Sequence, residues 1–417
     1  MRSPNGSFRE TTLTETVPAR HPDQPRPVPA VVRLYARALL VAKPTGEQWR
    51  QLGVSLTVGD KPMDDLVEWM RTSRTAQARQ LFEQASNAGI AAVPDPPAPL
   101  RDFFTQVEAT PDWVDWNQIR RGQRALRAAG ADGIYLARDV SLLGGYQFSG
   151  FNQTLLRTGA LEKGSNQRFA ETFQWAMDVI AEDGLAAQGV GYQSTLRVRL
   201  IHAYIRSHVA AMADWRGDDW GVPVNQTDMA ATLLGALIAP TAGALGMGLI
   251  YTPSDLDAIA HVARYVGWLI GVQEQWLPLS FRDGVRGLYH TLAALSQPDE
   301  TTPLLAVPMI ADPMTWNYTT LPGLRRRLAR AQHLSITSAY LGPSAMRALG
   351  LPAYTPPWYP LVRIPLNATR SITALLLPGG RARAAQRGWR QQQALMRTIT
   401  TSRPTIGNSA THVTHAA

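Results

Sequence analysis

Ser194-Thr195-Leu196-Arg197-Val198-Arg199-Leu200-Ile201-His202-Ala203-Tyr204-Ile205-Arg206 runs without a proline or glycine. Its apolar residues recur at three- and four-residue spacing, so the segment reads as a helix. On that helix Arg199, His202 and Arg206 stand at i, i+3 and i+7 and share one stripe. The same periodicity extends outward in both directions. Val31 to Leu40, Asp64 to Ala88, Arg101 to Val107, Trp116 to Ala129, Ile134 to Gly144, Asn166 to Ile180, Asp255 to Val272 and Arg381 to Arg397 all carry helical patterns. Alternating β-branched strand signals are almost absent, and an all-α fold is expected.

Met229 to Thr252 is the longest uncharged run, and at about 24 residues it could span a bilayer. Pro240 and the glycines Gly235, Gly243, Gly246 and Gly248 favour instead two short core helices meeting at Ala239-Pro240-Thr241. Membrane association is therefore possible but not favoured. Residues 1–29 are polar and proline-rich and are expected to form a loose arm, with one folded domain over 30–400 and a frayed tail over 401–417. Prolines in Val93 to Leu100 and Leu351 to Leu366 predict extended crossings there.

Composition narrows the chemistry. The 417 residues contain no cysteine, which excludes disulfides, thiolate metal sites, a catalytic thiol and covalent c-type haem. Lys plus Arg total 41 against 32 Asp plus Glu, yet the arginines are scattered and no basic run is interleaved with aromatics, so no nucleic-acid partner is expected. The N-terminus lacks the basic start, apolar stretch and small-residue site of a secretory signal, which predicts a cytoplasmic protein. Nucleophile-elbow, phosphate-loop and zinc-protease motifs are missing.

Of the eight histidines, His21, His412 and His415 fall in the arms; the candidates are His202, His208, His261, His290 and His333. Two arginines beside His202 lower its pKa and keep it a neutral metal ligand, while they themselves require an anion. An iron porphyrin satisfies both needs, its iron on His202 and its propionates on guanidinium groups. A salt-bridged helix face around a satisfied histidine is the alternative. On the helix from Asn166 to Ile180, one stripe holds Phe169, Phe173, Ala176 and Ile180. Arg168, Glu171, Thr172, Trp175 and Asp178 lie on the other face, either lining a polar pocket or forming an ordinary exposed surface.

Five motifs in order resemble the latex-clearing protein family, the rubber oxygenases grouped with the oxygenase of mycophenolic acid biosynthesis. They are Thr158-Gly159-Ala160-Leu161, Arg168-Phe169-Ala170-Glu171-Thr172, Arg197 to Arg206, Gly221-Val222-Pro223-Val224-Asn225-Gln226-Thr227-Asp228, and Gly267-Trp268-Leu269-Ile270-Gly271-Val272. The resemblance covers roughly residues 60–375. It implies a globin-like helical domain holding one non-covalent haem b, with His202 as iron ligand and Arg168 and Thr172 matching distal-side residues. On the residues themselves, Arg199 or Arg206 is the expected propionate anchor and Glu171 the candidate base. The implied reaction uses dioxygen on a carbon–carbon double bond of an apolar, isoprenoid-like substrate. Oxidation without cleavage, or a haem carrier or sensor, is the alternative. Two positions depart from the family: Glu171 stands where rubber oxygenases have a lysine, and Asn152 where they have a distal glutamate.

Overall fold

A computed structural model describes residues 17–73, 75–159 and 161–407, and among them there are helices and no β-strand. The N-terminal third contains α1 (Ala30–Ala38), α2 (Gly46–Val54), α3 (Lys61–Thr72), α4 (Thr75–Ala88), α5 (Ala98–Glu108) and α6 (Trp116–Ala128). Next come α7 (Gly130–Leu136), a π-helical turn (Ala137–Leu142), α8 (Leu143–Gly145) and α9 (Ser149–Arg157). The centre is built from α10 (Ser165–Ile180), α11 (Val190–Ala210), α12 (Gly217–Trp220), α13 (Gln226–Gly246), α14 (Pro253–Leu269) and α15 (Phe281–Leu295). α16 (Thr301–Ala311), α17 (Pro322–Ala348), α18 (Trp358–Leu376) and α19 (Gly380–Ile399) complete the fold.

Local chemistry fixes several starts. Thr45 and Gln48 form a reciprocal capping box on α2, Thr252 and Asp255 form another on α14, and Asp115, Asn225 and Ser280 cap α6, α13 and α15. Each satisfies backbone N–H groups that the first turn leaves unpaired. Met229 to Thr252 does not break into two helices: α13 runs unbroken from Gln226 through Pro240 to Gly246. The proline removes one donor, and the Thr241 hydroxyl donates to the Leu237 carbonyl on the preceding turn. Two-thirds of its most apolar stretch is buried, which makes α13 a core helix. The crossing expected over Leu351 to Leu366 is also shorter, because α18 begins at Trp358 and carries Pro365 inside it.

Two large apolar cores, with two small satellite clusters, organise the described residues. The larger draws on α3–α6, α11 and α13–α15; the smaller joins α7, α16, α17 and α19. α10 belongs to both, with Val179 and Ile180 in the first and Phe169, Phe173 and Met177 in the second. It is the rigid partition against which a site can be built.

The ends need correction. Residues 17–29 are docked, not loose: Arg20 forms a buried ion pair with Asp228 at 2.7 Å, and Trp49 donates its indole N–H to the Pro22 carbonyl. Arg26 bonds the Ala294 carbonyl and the backbone of Arg20. Residues 401–407 also pack, since Arg403 reaches Asp178 at 3.2 Å and the Gly407 N–H donates to Glu171. Residues 1–16 and 408–417, with His412 and His415, lie outside the described residues.

Candidate functional site

α10 and α11 form an antiparallel hairpin. Trp175 of α10 donates its indole N–H to the Thr195 hydroxyl of α11 at 3.0 Å, and Thr195 in turn donates to the Gly191 carbonyl. Thr195 and His202 are seven residues apart, two turns along one stripe and about 10 Å along the axis. His202 lies further along the same stripe, between Arg199 and Arg206.

The His202 ring is half-buried and its Nδ1 has no hydrogen-bond partner. Burial first, and the Arg206 cation second, push its pKa down to about 4, against a smaller opposing pull from Asp60. The imidazole is neutral at pH 7 and keeps a lone pair for a ligand. Three of the other candidate histidines have a ring nitrogen already engaged. His261 accepts the Asp115 backbone N–H at 2.9 Å, the His290 ring nitrogen contacts the Ala42 carbonyl, and His333 contacts the Asp139 carboxylate at 2.6 Å while its Nε2, like His202 Nδ1, has no partner.

Arg199 and Arg206 are already paired with carboxylates of the protein, although Arg206 Nη2 has no partner. Arg199 donates from Nε and Nη2 to both oxygens of Asp60 at 2.7 and 2.8 Å, and also reaches the Leu269 carbonyl. Arg206 binds Asp64 and the Val224 carbonyl. The two arginines, seven apart on α11, meet two aspartates, four apart at the start of α3. Each arginine thus has its anion within the protein, which corrects the expectation that a propionate supplies it. Gly271 makes this possible: at φ +90° it passes so close that a Cβ would lie 2.3 Å from Asp60 Oδ2 and 2.7 Å from Arg199 Nε.

A mainly apolar cavity of about 210 Å³ lies beside α10. Val140 of the π turn, Phe151, Thr172, Trp175, Thr232 and Gly235 are among its lining residues. Thr172 is exposed to it, with its hydroxyl proton donated to the Arg168 carbonyl, which leaves lone pairs facing outward. His202, Arg199, Arg206, Glu171 and Arg168 are not in the lining. The Glu171 carboxylate is buried, accepting from Gln167 and from the Gly407 N–H, both at 3.2 Å. Arg168 is half-buried and makes no ion pair among the described residues. Asn152 is fully buried, donating to the Tyr146 carbonyl and the Thr301 hydroxyl, while its neighbour Phe151 reaches the cavity.

Sequence reasoning overlooked α13 as a cavity wall. Thr232, Gly235, Ala236, Ala239 and Gly243 recur at helical spacing and all line the cavity. That stripe of small residues within an otherwise bulky run was the available signal. A Cβ added at Gly235 meets nothing within 4 Å, so the glycine leaves open volume there.

Residues 129–376 match the family described as ER-bound oxygenase mpaB/B'/rubber oxygenase, catalytic domain. No curated protein matches the sequence. The fold is similar to a solved structure described as latex clearing protein LCP in the closed state, at a TM-score of 0.56 and 16% identity over 83% of this chain and 91% of that one.

Proposed function

Because this chain belongs to the family of ER-bound oxygenases mpaB/B' and rubber oxygenases and is an oxygenase, we propose that it binds haem b through His202 and oxidises an apolar, unsaturated, isoprenoid-like substrate. The observation that carries this reading is the neutral imidazole of His202, half-buried on α11 with no partner for its Nδ1. A porphyrin iron needs one such ligand. A metal centre made of protein side chains would need several, and no cluster of three or more His, Asp or Glu that could hold a metal occurs among the described residues.

When bound, haem supplies the dioxygen chemistry that no side chain here can perform. The protein's part follows from the residues. His202 stays neutral because burial and Arg206 oppose its protonation. The ion pairs of Arg199 with Asp60 and Arg206 with Asp64 fix α11 against α3, and so fix the imidazole. Phe151, Trp175 and the small residues of α13 offer an apolar surface to a hydrocarbon chain and exclude water. Thr172 is one of the polar groups at the wall, with Ser141, Thr232 and Thr291, and is suited to hold a polar substrate end. Glu171 can serve as a base only if the C-terminal segment releases it.

The test is an absorption spectrum of the purified protein. A Soret band is expected in the wild type and in His261→Ala, and its loss is expected in His202→Ala with helical content retained. A colourless His261 variant beside a coloured His202 variant would overturn the ligand assignment. Oxygen uptake against a panel of isoprenoids, with detection of carbonyl products, separates cleavage from hydroxylation; haem without any oxygen uptake would leave a carrier.

A further inference from the structure

Arginines that are scattered along the sequence converge on one cleft in the fold. α6, α18, α19 and the start of α14 enclose about 100 Å³, and this space shares no lining residue with the cavity beside α10. Arg121 and Arg124 enter it from α6, Arg363 and Arg370 from α18, and Arg381 and Arg387 from α19. Two carboxylates serve three of them. Asp255 takes Arg121 at 2.8 Å and Arg381 at 3.1 Å, and Asp132 takes Arg363 at 2.6 Å. Arg124, Arg370 and Arg387, one from each helix, are exposed and form no ion pair or hydrogen bond among the described residues.

On a convex surface such cations turn apart and are screened by water. Here the helices beneath them are locked together. A Cβ on Gly388, next to Arg387, would run into the Arg127 carbonyl oxygen of α6, and one on Gly380 would run into the Ala374 carbonyl oxygen of α18. α19 therefore meets both neighbours backbone to backbone. The bonds from Tyr359, Arg363 and Asn367 to Asp132 set the rotation of α18. Three unpaired guanidinium groups thus stand on fixed supports around one concavity, and a cleft lined by one sign of charge concentrates counter-ions. Ser371 adds a donor. Its oxygen accepts the Ile250 N–H at 3.2 Å, which leaves its hydroxyl proton to give.

The arrangement selects among anions. A carboxylate suits one guanidinium in a two-pronged pair, as at Asp132, whereas a phosphoryl group presents oxygens on several sides and suits donors converging from different helices. A diphosphate ester, with roughly three negative charges near neutrality, balances the three unpaired cations. We propose that this cleft binds the diphosphate group of a soluble organic ester, held by Arg124, Arg370 and Arg387 with Ser371 as a further donor. The inference is independent of the haem reading.

Isothermal titration of the full chain with inorganic diphosphate, at about 0.15 M salt, tests it. One site per chain is expected, with orthophosphate and sulfate weaker by about tenfold or more because they carry less charge on fewer oxygens. Arg370→Gln with Arg387→Gln should weaken diphosphate binding at least about tenfold. Arg347→Gln with Arg390→Gln removes the same charge from exposed residues outside the cleft and should leave the affinity within about twofold. Diphosphate should raise the unfolding temperature of the wild type and of this control, but not of the cleft variant, whose circular dichroism should match theirs. Absent binding, equal affinity for sulfate, or an equal loss in the control pair overturns the proposal. Retention on phosphatidylglycerol vesicles that Arg370→Gln with Arg387→Gln abolishes, in a chain without affinity for free diphosphate, also overturns it and assigns the cleft to a lipid headgroup.

Discussion

Arg199 and Asp60 meet through two parallel hydrogen bonds, at 2.7 and 2.8 Å, with side chains only 8% and 2% exposed. A bidentate pair of this kind is directional as well as strong, and it ties the stripe bearing His202 to the start of α3. Removing one member leaves the other buried and uncompensated, so Asp60→Asn and Arg199→Gln should each destabilise the fold by about 3–5 kcal/mol in urea unfolding. Replacing both by apolar residues should recover much of that loss. If Arg199 instead held a propionate, its substitution alone would release haem and Asp60→Asn would not.

The docked arm gives a second expectation. Arg20 and Asp228 are 8% and 6% exposed, and Asp228 also accepts from Asn225 near the start of α13. Deleting residues 1–25 should lower the unfolding midpoint, and Arg20→Ala should account for about 3 kcal/mol of the loss by stranding the aspartate. Deleting residues 1–12 serves as the control. Equal stability of the longer deletion and the wild type would show that the arm contributes nothing.

Glu171 offers a test of role against place. Its carboxylate is held by Gln167 and Gly407 and is not part of the cavity lining. Glu171→Gln is therefore expected to hold turnover within a few-fold and to make the C-terminal segment more susceptible to limited proteolysis. A base that moves the decisive proton would show a loss of about 10²-fold or more at unchanged proteolysis.

Asp312 carries a signature in pH. Burial, opposed by Arg138 at 3.6 Å and by the Ser165 hydroxyl, pushes its carboxyl from 3.8 up to about 6. The native state then holds the proton more tightly than the unfolded chain. Its contribution is complete below 3.8 and is lost as pH rises to about 6. The full amplitude is about 3 kcal/mol. Urea midpoints of Asp312→Asn should vary less than the wild type's across that window. An identical pH profile in both proteins would assign the variation elsewhere.

How much of this was legible in the sequence depends on the range of the interactions. Helix positions follow from local spacing, and so α11, α10, α6 and α14 lie close to where periodicity puts them. The partner of a charge is not local. Arg199 and Arg206 announced a need for anions, and the haem propionate and the aspartate answer that need equally well on paper. Only the packing of α3 on α11 decides for Asp60 and Asp64. The proline-rich arm misled for a related reason: its composition buries few apolar groups, but a single arginine, Arg20, finds a carboxylate 208 positions away. The uncharged run misled in the opposite way, because Pro240 costs α13 one hydrogen bond without ending it.

Gly235 provides the last expectation. It sits inside α13, lines the cavity, and faces open space where a Cβ would be. Gly235→Ala should raise stability by up to about 1 kcal/mol through helix propensity. Gly235→Phe should leave the fold intact and fill the cavity, so that substrate-dependent oxygen uptake falls while the spectrum of any bound haem persists. Retained uptake in the phenylalanine variant would place the substrate elsewhere.

The π turn at Ala137–Leu142 links the length of the chain to the shape of the site. It directs Ala137, Val140 and Ser141 to the cavity and sends Arg138 and Asp139 the other way, into full burial with His333 and the Met309 carbonyl. Such a turn holds one residue more than an α turn. Excising a single residue there would let the helix close with ordinary spacing, but would rotate all that follows by about 100° relative to what precedes. Phe151 would swing off the wall, or Arg138 would be driven into an apolar space. Surface loops in this protein can lose or gain residues without such a consequence; between Gly130 and Ser149, residue count itself is a determinant of the cavity.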